Sequence, residues 1–155
     1  MTENNQFFSD IKKFNAIYKL PSNESPQMLP VDRIKNFQNI LAEEVDEASE
    51  IAEKYEALLE KDGGELSEAS RMEVLTDMSD WLGDVIVYCA SEARRWGLPT
   101  SDILNIIMQS NFSKLDENGE PIYDDRGKVL KGPNYWKPEP KIKQMLESLK
   151  GSKEN

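Results

Sequence analysis

Histidine is missing from this chain of 155 residues altogether. Its absence excludes Ser-His and Cys-His nucleophilic catalysis, His-ligated zinc, and the Glu-x-x-His pattern of di-iron bundles. Any base must be a carboxylate, a lysine or a cation-bound water. Cysteine is nearly as scarce. Cys89 stands alone, in the most apolar run of the chain, so no internal disulfide can form and a small core residue is the expectation. Long hydrophobic runs are lacking too: no stretch reaches transmembrane length, and residues 1–10 have no basic n-region ahead of an apolar segment. A reducing, cytoplasmic setting is expected. Positive charge is short, with 19 Lys and Arg against 29 Asp and Glu and a formal net charge of −10. The deficit lies within residues 1–110, where 10 basic residues face 21 acidic ones; residues 111–155 are balanced, 9 against 8. An acidic body of this kind argues against nucleic acid or a membrane as partner.

What the chain does have is acid in unexpected places. Phe37, Ile40, Leu41, Ala48, Ile51, Ala52, Tyr55, Leu58 and Leu59 recur at helical spacing and form one apolar face. Steps of four, seven and eleven from Ile40 reach Glu44, Glu47 and Ile51, so two carboxylates interrupt the stripe itself, with Glu43 and Glu50 at its edge. An unpaired carboxylate in a buried seam is costly, so each of these needs a partner or a cation. A second stretch offers one. Asp77, Asp80 and Asp84 follow i, i+3 and i+7, flanked by Trp81 and Tyr88, which are expected to serve packing rather than catalysis. Val85, Ile86, Val87, Cys89 and Ala90 make that helix apolar nearly all round, which predicts a central, buried helix with its aspartates inside or lining a cleft.

In order, the pattern predicts a short amphipathic helix over 5–19, a proline-marked loop (Pro21, Pro26, Pro30), and a long acidic helix over 32–61 closed by Asp62-Gly63-Gly64. Ser67 is the expected N-cap of a helix over 67–96 that stops at Gly97, and Ser101 that of a fourth over 101–112. Beyond Phe112, Asn118-Gly119 and Arg126-Gly127 are turn signals, and the pieces around Tyr123 and Val129 read as a β-hairpin. Pro138 and Pro140 are expected to keep 131–140 irregular, with a last short helix over 140–150. The expected fold is all-α, a single domain: a four-helix-bundle core over 5–113, an irregular, lysine-bearing extension over 111–138, and the C-terminal helix.

Carboxylates facing one another about 4 Å apart repel by roughly 4 kcal/mol per pair at an effective dielectric near 20, and a divalent cation reverses the sign. Oxygen ligands without His or Cys favour Mg²⁺ or Mn²⁺ over zinc. Hard cations of this kind bind phosphates as well as carboxylates, which favours displacement at phosphorus with a carboxylate as base for the attacking water. Asn111, Lys114, Arg126, Lys128 and Lys131 supply donors for phosphate oxygens, and Tyr135 and Trp136 offer rings to stack on a base or ribose.

Glu43-Glu44-x-x-Glu47, a spacer of about thirty residues, and the acidic helix through Leu82-Gly83-Asp84-Val85 resemble the all-α nucleoside triphosphate pyrophosphohydrolase superfamily, which includes MazG, phosphoribosyl-ATP pyrophosphohydrolase and the dimeric dUTPases. Ser110-Asn111-Phe112-Ser113-Lys114-Leu115, with Gly119 to Tyr123 and Gly127 to Pro133, is similar to a MazG-like, phosphoribosyl-ATP-pyrophosphohydrolase-like branch. The likeness covers about residues 5–138. It implies a four-helix core, assembly into a homo-oligomer (dimer or tetramer), and Mg²⁺-dependent cleavage of an NTP or dNTP between its α and β phosphates, giving the monophosphate and pyrophosphate. By position, Glu44, Glu47, Asp80 and Asp84 become the expected cation ligands, and Glu43 or Glu47 the group that positions or deprotonates the water. Asn111, Lys114, Lys131 and Tyr135 are the expected substrate contacts. Where the family has Glu-x-x-Asp this chain has Trp81 three residues before Asp84, so Asp80 is expected to substitute, with Asp77 as an outer acceptor. Two other classes stay open: a metal- or nucleotide-binding helical module without turnover, and an acidic interaction protein.

Overall fold

Five helices, and no strand among the described residues, make up the fold. The computed structural model describes residues 2–151. The helices are α1 (Thr2–Ile17), α2 (Val31–Lys61), α3 (Glu68–Arg95), α4 (Thr100–Phe112) and α5 (Pro138–Gly151). The chain forms two compact units, Met1–Ser22 with Gln27–Trp96 and Asn23–Pro26 with Gly97–Asn155.

In the first unit α3 packs against both α1 and α2. Helix α2 runs 31 residues, about 46 Å. It stops because Gly63 and Gly64 take positive φ, which lets the Gly64 N–H reach back to the Leu59 carbonyl at 2.8 Å. Asp62 then accepts from the Ser67 N–H, and the Ser67 hydroxyl accepts from the Ser70 N–H at 3.2 Å, so one short turn closes α2 and caps α3.

Polar ties set the register of the three helices. Asn15 of α1 is fully buried; its amide donates to the carbonyls of Ser91 and Pro21, and its Oδ1 accepts from the Ser91 hydroxyl at 2.7 Å. Along α3, Asp77 accepts from Lys54, Trp81 donates to the Glu44 carbonyl, and Glu92 accepts from Arg33, so α2 and α3 run antiparallel. Each such group would be expensive if left unpaired.

The expected burial of α3 on all sides is not what the fold builds. Only the side toward α1 and α2 is covered. Met72, Leu75, Leu82 and Ile86 are about half exposed, and Cys89, expected in the core, is exposed as well. Cys89 is turned roughly 100° from Tyr88, the residue before it, which meets α2.

In the second unit α4 packs with α5. The fourth helix of the expected core therefore belongs here. It begins after Pro99, not under a Ser101 cap. Helix α5 starts at Pro138, two residues before the expected onset, because a proline in the first turn lacks only an N–H that the helix would leave unbonded anyway. The expected hairpin reduces to one isolated antiparallel bridge, Tyr123 with Val129. Asp124 holds the turn between them by accepting from the N–H groups of Arg126 and Lys128.

Candidate functional site

Of the acidic residues singled out by periodicity, Glu44 alone is buried, at 8% relative exposure. Its Oε2 has no hydrogen-bond partner. Burial pushes its pKa up, and the charges of Glu47, Asp84 and Glu43 push the same way; the Tyr88 hydroxyl beside the carboxylate opposes them. The Glu44 charge in turn raises the Tyr88 phenol, with burial adding to the shift. A carboxyl group thus sits in the α2–α3 seam among further carboxylates, with the Tyr88 hydroxyl beside it and no cationic group among the charges that act on it. That arrangement asks for a cation.

Glu47, Asp84 and Glu43 act on Glu44 from outside the seam. Glu43, Glu47, Asp80 and Asp84 are exposed, so the inward placement expected for Glu47 and for the aspartate row is corrected. Among the described residues no three acidic side chains close into a ready-made cage. A hard cation suits such an open, all-oxygen site because it keeps several of its own waters and needs few protein ligands. The donor set therefore fits Mg²⁺ or Mn²⁺.

The other aspartates are placed differently from the expected single row. Asp77 accepts from Lys54 at 2.6 Å, and Glu73 shares that ammonium at 2.8 Å. It is engaged in tying α3 to α2. Asp80 lines a shallow depression with Met72, Leu75, Thr76, Asp77 and Ser79. A helix turns about 100° per residue, which carries Asp80 off the line on which Trp81 meets α2. The row that faces Glu44 is Trp81, Asp84 and Tyr88. The Trp81 indole donates to the Glu44 carbonyl at 2.6 Å. Sequence reasoning assigned Trp81 and Tyr88 to packing; their spacing with Asp84, i, i+3 and i+7, was the signal that could have placed them at the site.

A cleft of about 360 Å³ opens from this row between α1, α2 and α3. Asp84 and Tyr88 stand at one end and Arg33, Glu92 and Arg95 at the other, with Phe14, Phe37 and Ile40 among its apolar walls. Glu92 accepts from the Arg33 guanidinium at both of its oxygens, the shortest contact 2.6 Å, and from the Trp96 indole at 2.8 Å; Arg95 lies 3.7 Å away. Burial and the neighbouring Arg33 lower the Arg95 pKa, against the pull of Glu92. None of these residues beyond Asp84 was marked from sequence as part of a site. A larger depression lined by Tyr55, Leu59, Leu66 and Val74 is mainly apolar, and its one carboxylate, Glu65, is paired with Arg71.

In the second unit Asn111, Lys114, Lys131 and Tyr135 are linked to one another, while Arg126 and Lys128 belong to the turn held by Asp124. Lys114 donates to the Asn111 side chain at 2.8 Å. The Gly132 N–H donates to the Lys114 carbonyl at 2.8 Å, which brings the neighbouring Lys131 back to the end of α4. Lys131 in turn lies over the Tyr135 ring at 4.8 Å. A Cβ on Gly132 would meet the Leu115 carbonyl, so only glycine allows the approach. Trp136, also suggested for stacking, carries Lys141 over its ring at 3.5 Å.

No protein-family model matches the chain, and no curated protein does. A solved structure from Exiguobacterium sp. 255-15, of a protein provisionally described as an NTP pyrophosphohydrolase, is similar to it with a TM-score of 0.50. The two share 21% identity over 94% of this chain and 97% of that one. The chain thus has an NTP pyrophosphohydrolase-like all-α fold.

Proposed function

We propose that the chain is a divalent-cation-dependent nucleoside triphosphate pyrophosphohydrolase, cleaving an NTP or dNTP between its α and β phosphates. The observation that carries this is the buried Glu44 carboxylate, its Oε2 unpartnered and pressed by Glu47, Asp84 and Glu43. Glu44, Glu47 and Asp84 are the residues proposed to hold Mg²⁺ or Mn²⁺; Asp80, turned off the line that faces Glu44, is not among them. Such a cation, when bound, neutralises phosphate charge and makes a water more acidic.

The rest falls to the chain's own groups. Glu43 or Glu47, both exposed to solvent at the rim, positions the attacking water and takes its proton. The water oxygen forms the new P–O bond, the bridging P–O bond breaks, and the bridging oxygen leaves with its phosphate. Attack at either phosphorus of that bridge gives the same two products, the monophosphate and pyrophosphate. Asn111, Lys114 and Lys131, all within the second unit, are proposed as phosphate contacts on the resemblance, without any placement against the cleft of the first unit. The Phe14–Phe37 cleft is the place for the nucleoside, beginning at Asp84 and excluding water with apolar walls. Assembly into a homo-oligomer is part of the same reading; the open apolar side of α3 supports it.

Incubation with each NTP and dNTP in the presence of Mg²⁺, with the products separated and pyrophosphate measured, tests the assignment. Monophosphate and pyrophosphate should form in equal amounts with at least one substrate. Glu47→Gln should abolish turnover and leave the helical circular dichroism unchanged. Release of inorganic phosphate with a diphosphate would contradict the reading, and binding of Mn²⁺ without any turnover would reduce it to a binding module.

A further inference from the structure

At the position where the resemblance calls for an acidic ligand, this chain carries Trp81, and its indole is committed to the main chain of the opposite helix. The Nε1–H donates to the Glu44 carbonyl at 2.6 Å, across 37 residues of sequence. The Glu44 carbonyl is already within α2 and needs no second donor for helix formation. An added bond there fixes one turn of α2 against one turn of α3, and it is the turn that bears the buried carboxylate. Two turns along the same face of α3 the Tyr88 hydroxyl lies beside that carboxylate, while Tyr88 itself lines the cleft with Asp84. Glu44 is therefore approached twice from one row of α3, at its backbone and at its side chain, with Asp84 between the two contacts.

We propose that Trp81 and Tyr88 are positioning residues for Glu44: the indole fixes the backbone from which the carboxylate projects, and the phenol fixes the carboxylate's orientation, leaving Oε2 available to a cation. This rests on the cation-dependent reading above and deepens it. It assigns a role to the departure from the Glu-x-x-Asp pattern. Position 81, three residues before Asp84, holds a donor that cannot bind a cation but can hold the residue proposed to do so. Partners that orient a cation ligand typically change affinity 10- to 100-fold when removed. Trp81 need not touch substrate, and because Tyr88 borders the cleft proposed for the nucleoside, the test reads cation binding alone.

Direct binding of Mn²⁺, followed by the electron paramagnetic resonance signal of the free ion, tests this without any turnover. Tyr88→Phe and Trp81→Phe should each weaken binding by about tenfold or more, with unchanged circular dichroism in EDTA. Combined with Glu44→Gln, neither should add a further loss, because each acts through Glu44. Wild-type protein that binds no Mn²⁺ would overturn the cation-dependent reading and this inference with it. Wild-type binding with Tyr88→Phe unchanged to within about twofold would overturn this inference alone. Losses that add fully to that of Glu44→Gln would also overturn it. Should Trp81→Phe fail to fold, Tyr88→Phe carries the test, since Tyr88 is 40% exposed and its ring is retained.

Discussion

Replacing Glu44 with glutamine should make the cation-free protein more stable, although it removes the residue on which the site depends. Glu44 is 8% exposed with Oε2 unpartnered. Burial raises its pKa, reinforced by Glu47, Asp84 and Glu43 and opposed by Tyr88. A raised folded-state pKa means the folded protein holds this proton more tightly than the unfolded chain does. The stability it contributes is full below the ordinary carboxylate range and is lost as pH rises through the folded value. Above the folded value that contribution is absent. Glutamine keeps the shape, carries no charge, and brings an N–H₂ that can donate to Glu47 or Asp84. An unsatisfied buried group costs about 1–3 kcal/mol, so a gain near 1.5 kcal/mol is the expectation. For a chain of this size that corresponds to a melting temperature higher by roughly 3–6 °C. Thermal melts in EDTA at pH 7.5 and pH 4 would show the difference at the first pH and little of it at the second. Saturating Mg²⁺ should then reverse the order, because a ligand at one hundred times its dissociation constant adds about 2.7 kcal/mol to the protein that binds it. Glu44→Gln melting below wild type in EDTA at pH 7.5 would refute the reasoning, since the carboxylate would then be a satisfied group.

Glu92→Ala leaves the Arg33 and Arg95 guanidinium groups without their shared acceptor and should cost about 3–5 kcal/mol in urea denaturation. Asn15→Ala, at a fully buried position, strands the Ser91 hydroxyl and the Ser91 and Pro21 carbonyls, and the same assay should record a loss of about 2 kcal/mol or more. Gly132→Ala forces a Cβ onto the Leu115 carbonyl and should break the Gly132–Lys114 link. A loss above roughly 2 kcal/mol is expected, together with altered amide signals of Lys114 and Lys131 in nuclear magnetic resonance spectra.

The candidate site shows how far periodicity reaches. Glu44 was legible because a carboxylate inside an apolar stripe has one interpretation, and the structure buries it. Glu47 obeys the same arithmetic yet is exposed: the stripe of a long helix is wider than the strip its neighbour covers. Asp77, Asp80 and Asp84 form a row on paper, but Asp77 is held by Lys54 and Asp80 is turned aside, so only Asp84 reaches the charges around Glu44. Trp81 and Tyr88 were misjudged for the converse reason. Aromatic residues on an apolar helix look like packing until the opposite helix is known to offer a carbonyl and a carboxylate.

Sequence alone settled the junction of α2 and α3, because glycine and capping side chains act within a few residues of one another: Gly63-Gly64 stop α2 and Ser67 caps α3, whereas α4 and α5 begin elsewhere than their capping and proline signals suggested. It also settled the chemistry that the missing histidine forbids. The phase of α3 was decided only in three dimensions. A helix apolar nearly all round has no preferred side of its own, and pairs such as Asn15 with Ser91, Arg33 with Glu92 and Trp81 with Glu44 join residues far apart in the chain. Those contacts depend on how one helix lies against another, which no local pattern encodes.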